Sequence, residues 1–437
     1  MTARSPTSSR LQDLRSRFSF RIFLSDLLSK TWMEPAIPFA IMVALITYFS
    51  LTVPNYVTAY NMVELPRQFA EFGFVAIAMA IVIISGGIDL SVGAIVGIVN
   101  LVALLLISVF ELPVAVVFGA SVLCGAVLGG FNGFLIGYLK ARPFLTTMVT
   151  LIIYRAIVEI INKAYAVEIA TAWVDNAAWD FLGDGLILGV PVNVVILVIV
   201  ALVGHFFLRN SRPGWHIMSI GSSRKAARHV GIKVERLLFL TYVTSGVLCG
   251  LAGVLYAARQ SSPGTDTGTG WEVTALTAVV LGGISLAGGK GTIGRAMIGA
   301  VIVFVLVNGL VRLGAPGPVT SVGLGLLLLV AVGLDVKWAK NRAKVIQKIY
   351  VNPTLVEFGP MPEIAPDSGT PLAENHALSS VDAIGLDRIE GPEDVILDSM
   401  KRCCTVLNHN TVCRKVLDLF TKLVSHECGC CLIGCLE

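Results

Sequence analysis

Apolar residues along the chain fall into ten blocks separated by polar stretches. Most blocks approach the ~20 residues that a helix needs to cross ~30 Å of hydrocarbon, and they lack the even alternation of a barrel strand. The pattern therefore predicts an all-α polytopic membrane protein with about ten transmembrane helices. The predicted spans cover roughly residues 35–54, 72–85, 92–110, 113–138, 143–161, 186–208, 237–257, 272–287, 296–313 and 318–336.

Composition agrees with this pattern. The 437 residues are 55% hydrophobic and 14% charged, with a mean hydropathy of +0.79, whereas an ordinary soluble domain carries about 25% charged residues. Residues 1–34 are rich in Arg and Ser and contain no apolar stretch that ends in a small-residue cleavage site. We therefore predict that residues 1–34 form a cytoplasmic segment and not a cleaved signal peptide.

Lys and Arg are unevenly distributed between the loops, and this distribution predicts the orientation. Basic residues dominate the N-terminal segment, the 139–142 turn and the 209–236 loop, which carries seven Lys or Arg and one acidic residue. The 162–185 loop is acidic instead, and we expect Trp173 and Trp179 there to lie at the outer membrane interface. Ten crossings and this charge pattern place both termini in the cytoplasm.

A polar sequence interrupts the apolar run from Phe72 to Phe110: residues 85–93 read SGGIDLSVG, and residues 282–289 repeat the pattern as GGISLAGG. Paired glycine-interrupted segments in corresponding parts of a chain indicate broken or re-entrant helices that build a substrate pathway. The alternative is coincidence among the 43 glycines. The predicted broken-helix residues are Gly86, Gly87, Asp89 and Ser91 in the first copy and Gly282, Gly283 and Ser285 in the second.

Asp89 is a carboxylate at membrane depth, where a lone charge is costly and normally faces a protein interior or water. If Gly86 and Gly87 end one helix, Asp89 would open the next as an N-cap and accept its first free backbone N–H groups. This hypothesis makes the residue structural. The alternative makes Asp89 a substrate or proton ligand. Ser285, at the aligned position of the second copy, can cap a helix but carries no charge, which favours the cap.

Residues 222–230 form a polar, helix-compatible stretch inside the 209–236 loop, and Gly231 is placed to stop that helix. Its basic residues surround a small patch of Ala226 and Ala227, which is typical of a helix that docks onto a partner. The alternative is that the basic residues only fix the topology and touch anionic lipid. The residues of the predicted coupling loop are Gly221, Arg224, Lys225, Ala226, Ala227 and Gly231.

Three motifs in order resemble one family. Residues 85–97, SGGIDLSVGAIVG, are similar to the signature of the permease subunits of bacterial ABC importers for simple sugars, the ribose/xylose/galactose type. Residues 214–232, GWHIMSIGSSRKAARHVGI, resemble the cytoplasmic loop of that family, and residues 282–300, GGISLAGGKGTIGRAMIGA, resemble a later block. The resemblance covers about residues 35–340, the predicted permease domain, and implies a multi-pass protein of the bacterial inner membrane.

This resemblance also implies partners and a substrate class. The partners would be cytoplasmic ATPase subunits docked at residues 221–232, a periplasmic sugar-binding protein, and a second permease subunit, identical or different. Apart from these, the chain would contact membrane lipid and no nucleic acid. The substrate would be a monosaccharide or related polyol, moved by alternating access along the axis of the two permease subunits.

No residue pattern in the chain predicts catalysis. Residues 283–292 miss the phosphate-loop pattern, because Lys290 is followed by Gly291, so ATP hydrolysis is expected in a separate subunit. We predict no cofactor and no metal site. A neutral sugar needs uncharged donors and acceptors, whereas the alternative for each buried polar residue is an interhelical hydrogen bond. The candidate lining residues are Asn100, Asn132 and Asn308, and other polar residues in the spans are Thr146, Thr147, Asn193, Thr244 and Ser245.

The end of the chain differs in composition from the rest. Residues 341–386 are polar and rich in Pro, which predicts a linker. Residues 388–398, RIEGPEDVILD, resemble the opening strand of the propeller in gluconolactonase and strictosidine-synthase-like proteins, but a propeller needs several hundred residues. We therefore expect residues 387–437 to be a truncated fusion or a frameshifted tail. The alternative is a functional tail, acylated at its cysteines or binding zinc, although the spacing of His426, Cys428, Cys430 and Cys431 does not favour zinc.

Two further hypotheses stay open. A branched-chain amino-acid-type ABC permease would differ only in the class of its substrate. A stand-alone ion-coupled secondary transporter would use Asp89 as its proton or sodium site, and the uncharged Ser285 in the second copy argues against it. An enzyme would require the complete propeller and its metal site, for which the residues after Asp398 are too few.

Overall fold

The structure is a computed structural model that describes residues 33–172, 174–329 and 331–333, together with the backbone of residues 394–397 and 403–406. The chain divides into two compact units, Met1–Val351 and Asn352–Glu437. The helices of the first unit are α1 (Met33–Thr52), α2 (Ala59–Ile84), α3 (Val92–Ser108), α4 (Val114–Gly137), α5 (Pro143–Thr171), α6 (Ala177–Asp184), α7 (Val192–Asn210), α8 (Arg212–Ser222), α9 (Arg224–His229), α10 (Val234–Gln260), α11 (Trp271–Leu281), α12 (Ile293–Arg312) and α13 (Gly317–Gly333).

Six of these helices, α2, α4, α5, α7, α10 and α12, are long and apolar enough to cross a membrane. Four shorter apolar helices, α1, α3, α11 and α13, occupy the remaining predicted spans. The prediction of an all-α polytopic membrane protein is therefore confirmed. The number of ten crossings stays a prediction, because each of the shorter helices contributes at most 17 apolar residues to a span that needs ~20.

Glycines bring α4 and α10 together at the centre of the bundle. Gly125 and Gly129 on α4 face Gly246 and Gly250 on α10, and a Cβ on Gly125 would lie 2.8 Å from the Cα of Gly250. Each pair of glycines is four residues apart, so both lie on one face of their helix, and the backbones approach as in other small-xxx-small interfaces of membrane helices. This contact places the middle of α10 beside the first predicted helix break.

Helix α2 begins at Ala59, thirteen residues before the predicted span at 72, because its polar residues find partners inside the bundle. Glu71, which is 1% exposed, accepts two hydrogen bonds from Arg259 on α10, at 2.7 Å from Nε and 2.9 Å from Nη2. Arg67 pairs with Glu64 one turn earlier, at 3.1 Å. Paired charges can be buried inside a membrane protein where lone charges cannot. A span predicted from apolar residues alone therefore omits the start of this helix.

The predicted 162–185 loop is largely helical. Helix α5 continues to Thr171, and α6 is followed by a hairpin of β1 (Leu186–Ile187) and β2 (Val190–Pro191). Leu188 and Gly189 both have positive φ, as a two-residue type I′ turn requires. Trp179 is 1% exposed and packs into the bundle core, so it is not an interfacial side chain, and Trp173 lies outside the described residues.

In the second unit, the described residues form one antiparallel pair of strands, β3 (Asp394–Leu397) and β4 (Cys403–Val406), with Asp394 opposite Val406. Strand β3 covers residues 394–397 of the RIEGPEDVILD segment, in agreement with the strand that its resemblance implies. The predictions for residues 1–32, for the linker at 341–386 and for the candidate ligands from His426 to Cys431 concern residues outside the described part.

Candidate functional site

The two predicted helix breaks begin with the same hydrogen-bonded cap. At the end of α2, Gly86 N donates to Ile83 O at 2.9 Å and Gly87 N donates to Val82 O at 3.1 Å. At the end of α11, Gly283 N donates to Val280 O at 2.9 Å and Ile284 N donates to Val279 O at 3.2 Å. Both are Schellman motifs, which satisfy the last free carbonyl groups of a helix.

The repeated motif is therefore real in conformation, but its register is shifted by one residue. Gly86 (φ +80°) and Gly283 (φ +86°) occupy the same left-handed position after their helices, a conformation that favours glycine. The sequence comparison had paired Gly86 with Gly282, which ends α11 in a right-handed conformation. Because each copy contains two adjacent glycines, the sequence alone does not show which of the two adopts the left-handed conformation.

Asp89 lies in a buried cage of hydroxyl and amide groups. Its Oδ1 accepts from the backbone N–H of Ser91 at 3.0 Å and from Ser91 Oγ at 2.6 Å, and its Oδ2 accepts from Ser245 Oγ on α10 at 3.1 Å. Asn132 on α4 donates to Ser91 Oγ at 2.7 Å. All four residues are 0% exposed, and no described Lys, Arg or His forms an ion pair with Asp89. The cage ties the first break to α4 and α10.

Asp89 is not the N-cap that the sequence predicts. Helix α3 begins at Val92, and Ser91 occupies the N-cap position without a side-chain capping bond. Asp89 stands two residues earlier, and its bond to Ser91 N spans two residues, as in an Asx-turn. The carboxylate thus orders the turn before the helix. Whether Asp89 also contacts a substrate stays a prediction.

The second break differs from the first in its cap and its charge. Helix α12 begins at Ile293 and is capped by Thr292, whose Oγ1 accepts from Arg295 N at 3.4 Å. Ser285, expected to cap, lies seven residues before Thr292 in a turn closed by the bond from Gly288 N to Ser285 O at 3.0 Å. Cap prediction failed here because a glycine-rich turn separates the motif from the helix.

The 209–236 loop contains two helices instead of the one predicted. Helix α8 comes first, and the predicted coupling helix is α9, capped by Ser223, whose Oγ accepts from Ala226 N at 3.3 Å. The prediction that Gly231 stops this helix is confirmed, because Gly231 has φ +81° and its N–H donates to Arg228 O at 3.0 Å. Both ends of this short helix are therefore fixed by the local sequence.

Two predicted docking residues point inward. Ala227 is 2% exposed and packs against Ile220, Val234 and Leu238, so it belongs to the packing of the loop onto α10. Arg224 is half-buried, and its Nη2 donates to the carbonyl of Gly86 at 3.1 Å. Because α9 packs against α10, only one side of this six-residue helix is exposed. The exposed residues of α9 and its end are Lys225, Ala226, Arg228, His229 and Val230.

The coupling loop meets both helix breaks at one point, which we call the glycine junction and define by Gly86, Gly221, Gly288 and Gly289. A Cβ on Gly221 would collide with the carbonyl of Ile84 and lie 2.5 Å from Gly289 N. Gly289 N donates to Ile84 O at 2.9 Å, and a Cβ on Gly288 would lie 2.8 Å from the Cα of Gly86. Backbone therefore packs directly on backbone, so any shift of the loop acts on both breaks.

The three candidate lining asparagines lie in different places. Asn132 belongs to the Asp89 cage, Asn100 Nδ2 donates to Thr267 Oγ1 at 3.4 Å, and Asn308 Oδ1 accepts from Arg312 Nε at 2.9 Å. A common lining stays a prediction. Among the other polar residues, three hydroxyls donate to carbonyls four residues earlier in their own helix: those of Thr146, Thr147 and Thr244. Ser245 donates to Asp89. Neither amide atom of buried Asn193 has a hydrogen-bond partner among the described residues.

Two hydroxyl groups support the first break: Tyr242 was missed by sequence analysis, whereas Thr147 makes the interhelical bond expected as its alternative role. The hydroxyl of Tyr242 on α10 lies 3.5 Å from Ile88 O, and Thr147 on α5 donates to the same carbonyl at 3.1 Å. Tyr242 is 0% exposed, and its ring position is visible only once α10 is packed beside Gly87. Among the described residues, no group of His, Cys, Asp or Glu could hold a metal ion.

Comparison with known proteins places this geometry in context. Residues 61–332 match the family model described as branched-chain amino acid transport system / permease component. Residues 370–402 match a second model, the N-terminal part of strictosidine synthase-like proteins. No solved structure matches this chain. The first match covers both helix breaks and the coupling loop.

Individual relatives are similar over most of their length. The ribose import permease protein of Escherichia coli K12 is 33% identical over 310 residues, which are 71% of this chain and 96% of that protein. The ribose import permease protein of Bacillus subtilis 168 is 35% identical over 306 residues, 70% of this chain and 94% of the relative. The D-allose transport system permease protein of Escherichia coli K12 is 31% identical over 300 residues, 68% and 90% respectively.

Proposed function

The chain belongs to the family of permease components of branched-chain amino acid-type transport systems, and from that premise we propose that it imports a monosaccharide as the membrane subunit of an ATP-binding-cassette transporter. The observation that carries the proposal is the similarity to ribose import permeases over up to 96% of their length. That similarity, with the helical bundle, supports a multi-pass protein of the inner membrane. From the basic loops we infer that both termini lie in the cytoplasm.

The energy would come from separate ATPase subunits that dock on the exposed side of α9. Lys225, Ala226 and Arg228 offer that surface, whereas Arg224 faces the other way and bonds Gly86 O. A push on α9 would thus reach the first break through Arg224 and both breaks through the glycine junction. Because packed interfaces switch between discrete arrangements, such a push can open one end of a pathway while it closes the other.

The remaining partners follow from the same family. A periplasmic binding protein would deliver the sugar, and a second permease subunit, identical or different, would complete the pathway. ATP hydrolysis would lie outside this chain. We place the permease domain at residues 35–340, preceded by a cytoplasmic segment. The match to strictosidine synthase-like proteins at residues 370–402 crosses the boundary between the linker predicted at 341–386 and the tail predicted at 387–437.

An amino acid is the second candidate substrate, because the description of the matching family names branched-chain amino acids. The individual relatives favour a sugar, since their names specify ribose and D-allose. An ion-coupled transporter would need an exchangeable carboxylate, whereas Asp89 is enclosed by hydroxyl donors in the bundle core.

A substrate panel tests this proposal. The complete complex, with ATPase and binding protein, is reconstituted in proteoliposomes, and the uptake of radiolabelled ribose, allose, fructose and leucine is measured with ATP on the ATPase side. We expect ATP-dependent uptake of at least one monosaccharide and none of leucine. Uptake of leucine alone would replace the sugar by an amino acid and leave the family assignment unchanged.

A further inference from the structure

A second polar cluster lies apart from the Asp89 cage, where four elements meet. Arg155 on α5 donates through Nη1 to the carbonyl of Thr267 at 2.7 Å, and Asn100 on α3 donates through Nδ2 to the hydroxyl of Thr267 at 3.4 Å. Thr267 belongs to the segment between α10 and α11, and Glu272 follows in the first turn of α11. We call Asn100, Arg155, Thr267 and Glu272 the Thr267 cluster.

Three atoms of the Thr267 cluster are buried without a hydrogen-bond partner among the described residues: Asn100 Oδ1, Arg155 Nη2 and Glu272 Oε2. Asn100 is 0% exposed. Buried polar atoms in proteins nearly always have partners, and a group left unpaired is unfavourable. One guanidinium donor and two oxygen acceptors that are left unpaired in one cluster are complementary to a ligand that carries both donors and acceptors.

Glycines on α3 make room for the cluster. A Cβ on Gly93 would lie 2.5 Å from Glu272 Oε2, and a Cβ on Gly97 would lie 3.4 Å from Arg155 Nη1 and 3.0 Å from Thr267 O. Gly93, Gly97 and Asn100 are spaced by four and three residues, so they share one face of α3. Glu272 and Arg155 consequently face successive turns of the same helix, about 6 Å apart along it.

The cluster lies within the thickness of the bundle. Helix α11 has 11 residues and is about 16 Å long, roughly half of what is needed to cross the hydrocarbon. The second break follows its last residue and meets the coupling loop through Gly288 and Gly289, so the start of α11 near Gly270 lies about half-way across. Non-helical backbone at that depth occurs where it is buried in protein or lines a cavity, and substrate sites of transporters are found at such helix ends.

The chemistry of the cluster favours a neutral hydroxylated ligand. Arg155 donates through Nη1 to Thr267 O, which leaves Nη2 free to bind oxygen atoms of a ligand. The Glu272 carboxylate in the same cluster would repel a carboxylate ligand but can accept from a hydroxyl. A sugar hydroxyl both donates and accepts, so neighbouring hydroxyls can satisfy Arg155, Glu272 and Asn100 together.

We propose that the Thr267 cluster is a sugar-binding site inside the translocation pathway, where Arg155 Nη2, Glu272 Oε2 and Asn100 Oδ1 bind hydroxyl groups of the passing monosaccharide. This inference rests on the proposed function and adds the residues that would select the substrate within the membrane. The Asp89 cage, whose carboxylate is already paired with protein donors, is not part of that site.

The test uses the complete reconstituted complex and the monosaccharide, among ribose, allose and fructose, that the wild type imports fastest. The maximal uptake rate, with the binding protein saturated by sugar, is measured for that sugar and for each of its monodeoxy analogues, in the wild type and in Asn100→Leu and Glu272→Met. We expect the wild type to disfavour at least one analogue by roughly tenfold, the effect of one lost hydrogen bond to a polar site. The ratio is the value for the sugar divided by the value for an analogue. In each variant, this ratio should approach one for the analogue that lacks the hydroxyl bound by the replaced residue.

A structural role alone would lower uptake of the sugar and of its analogues equally and leave the ratio unchanged, and that result overturns the site. Asn61→Leu is the matched control, since buried Asn61 bonds the carbonyl of Asn55 and Arg312 instead, and its ratio should equal the wild-type value. If a variant fails to assemble, Asn100→Ala and Glu272→Ala remove the same acceptor atoms without adding side-chain volume, and they provide the same ratio. Failure of the wild type to import any of the three sugars overturns the proposed function itself.

Discussion

The two helix breaks start alike and then diverge. Each begins with a glycine in the left-handed conformation and the same pair of capping bonds. The first then turns within seven residues, from Ser85 to Ser91, around a fully buried carboxylate. The second takes eleven residues, from Gly282 to Thr292, contains no acidic residue and exposes Lys290.

This difference indicates that the two breaks have different mechanical roles. The first break is tied by side chains to α4, α5 and α10 through Asp89, Asn132 and Thr147, so it moves only with those helices. The second break packs Ile284 into the apolar core and meets the coupling loop at the glycine junction, where Gly289 N bonds Ile84 O. We infer that the first break is the fixed side of the junction and the second the side that yields when the coupling loop moves.

The largest expected effect comes from filling the junction itself. In Gly221→Ala the added Cβ collides with Ile84 O, a backbone atom that has no room to move, so we expect destabilisation by about 3 kcal/mol or more and loss of uptake. Thermal unfolding of the purified complex measures the first and ATP-driven uptake the second. Gly119→Ala is the control, because a Cβ there meets nothing within 4 Å and alanine favours the helix. Equal stability of both variants would show that the junction is not tightly packed.

Next in size is removal of the carboxylate from the first break. Asp89→Leu leaves Ser91 N, Ser91 Oγ and Ser245 Oγ without their acceptor, for which we expect a loss of about 2–3 kcal/mol in the free energy of unfolding. Asp89→Asn should lose about 1 kcal/mol or less, because its carbonyl still accepts from Ser91 N and Ser245 Oγ can turn to accept from its amide. Chemical denaturation compares the two. A large loss in the asparagine variant would require a charged role for Asp89.

A direct comparison of the breaks uses their equivalent glycines. Gly86→Ala adds left-handed strain and a Cβ 3.2 Å from the Cα of Gly221, whereas Gly283→Ala adds strain alone, because nothing lies within 4 Å of its Cβ. We expect losses of about 2 and 1 kcal/mol in unfolding free energy. The order of the two melting temperatures checks this, and the opposite order would contradict the assignment of the first break as the tighter one.

The smallest effect on stability is expected for the link between α9 and the first break. Arg224→Met removes the bond to Gly86 O, which should change the unfolding free energy by about 1 kcal/mol or less. Sugar imported per ATP hydrolysed should nevertheless fall, by roughly fivefold if the bond acts in only one of the two conformations. Lys163→Met, an exposed residue on α5, is the charge-matched control. An unchanged ratio in Arg224→Met would remove Arg224 from the coupling route.

Local sequence was sufficient where a structure is set by a few neighbouring residues. Glycine pairs identified both breaks, and Gly231 identified the end of α9, because a left-handed cap depends on one residue and its own helix. The same local argument failed for Ala227. Its inward direction depends on how a six-residue helix packs on α10, which alternation of polar and small residues does not encode.

Contacts between residues that are far apart in the sequence were the second limit on prediction. Helix α2 is longer than the predicted span at 72–85 because Glu71 is buried and paired, and its partner Arg259 lies 188 residues away. Arg155 lies inside a predicted apolar span and Glu272 begins another, yet their place in one cluster depends on the path of the segment between α10 and α11. A charge inside a span therefore indicates a site, and only the fold shows which charges share it.

The most direct test of the account is the energy source of import with and without the charge at Asp89. Sugar uptake is measured for wild type and Asp89→Asn in proteoliposomes, once for the complete complex with ATP on the ATPase side and once for this chain alone under a proton or sodium gradient. The account predicts ATP-driven uptake in both proteins and no gradient-driven uptake in either. Gradient-driven uptake by the wild-type chain alone, abolished in Asp89→Asn, would contradict it and make Asp89 the coupling site of a secondary transporter.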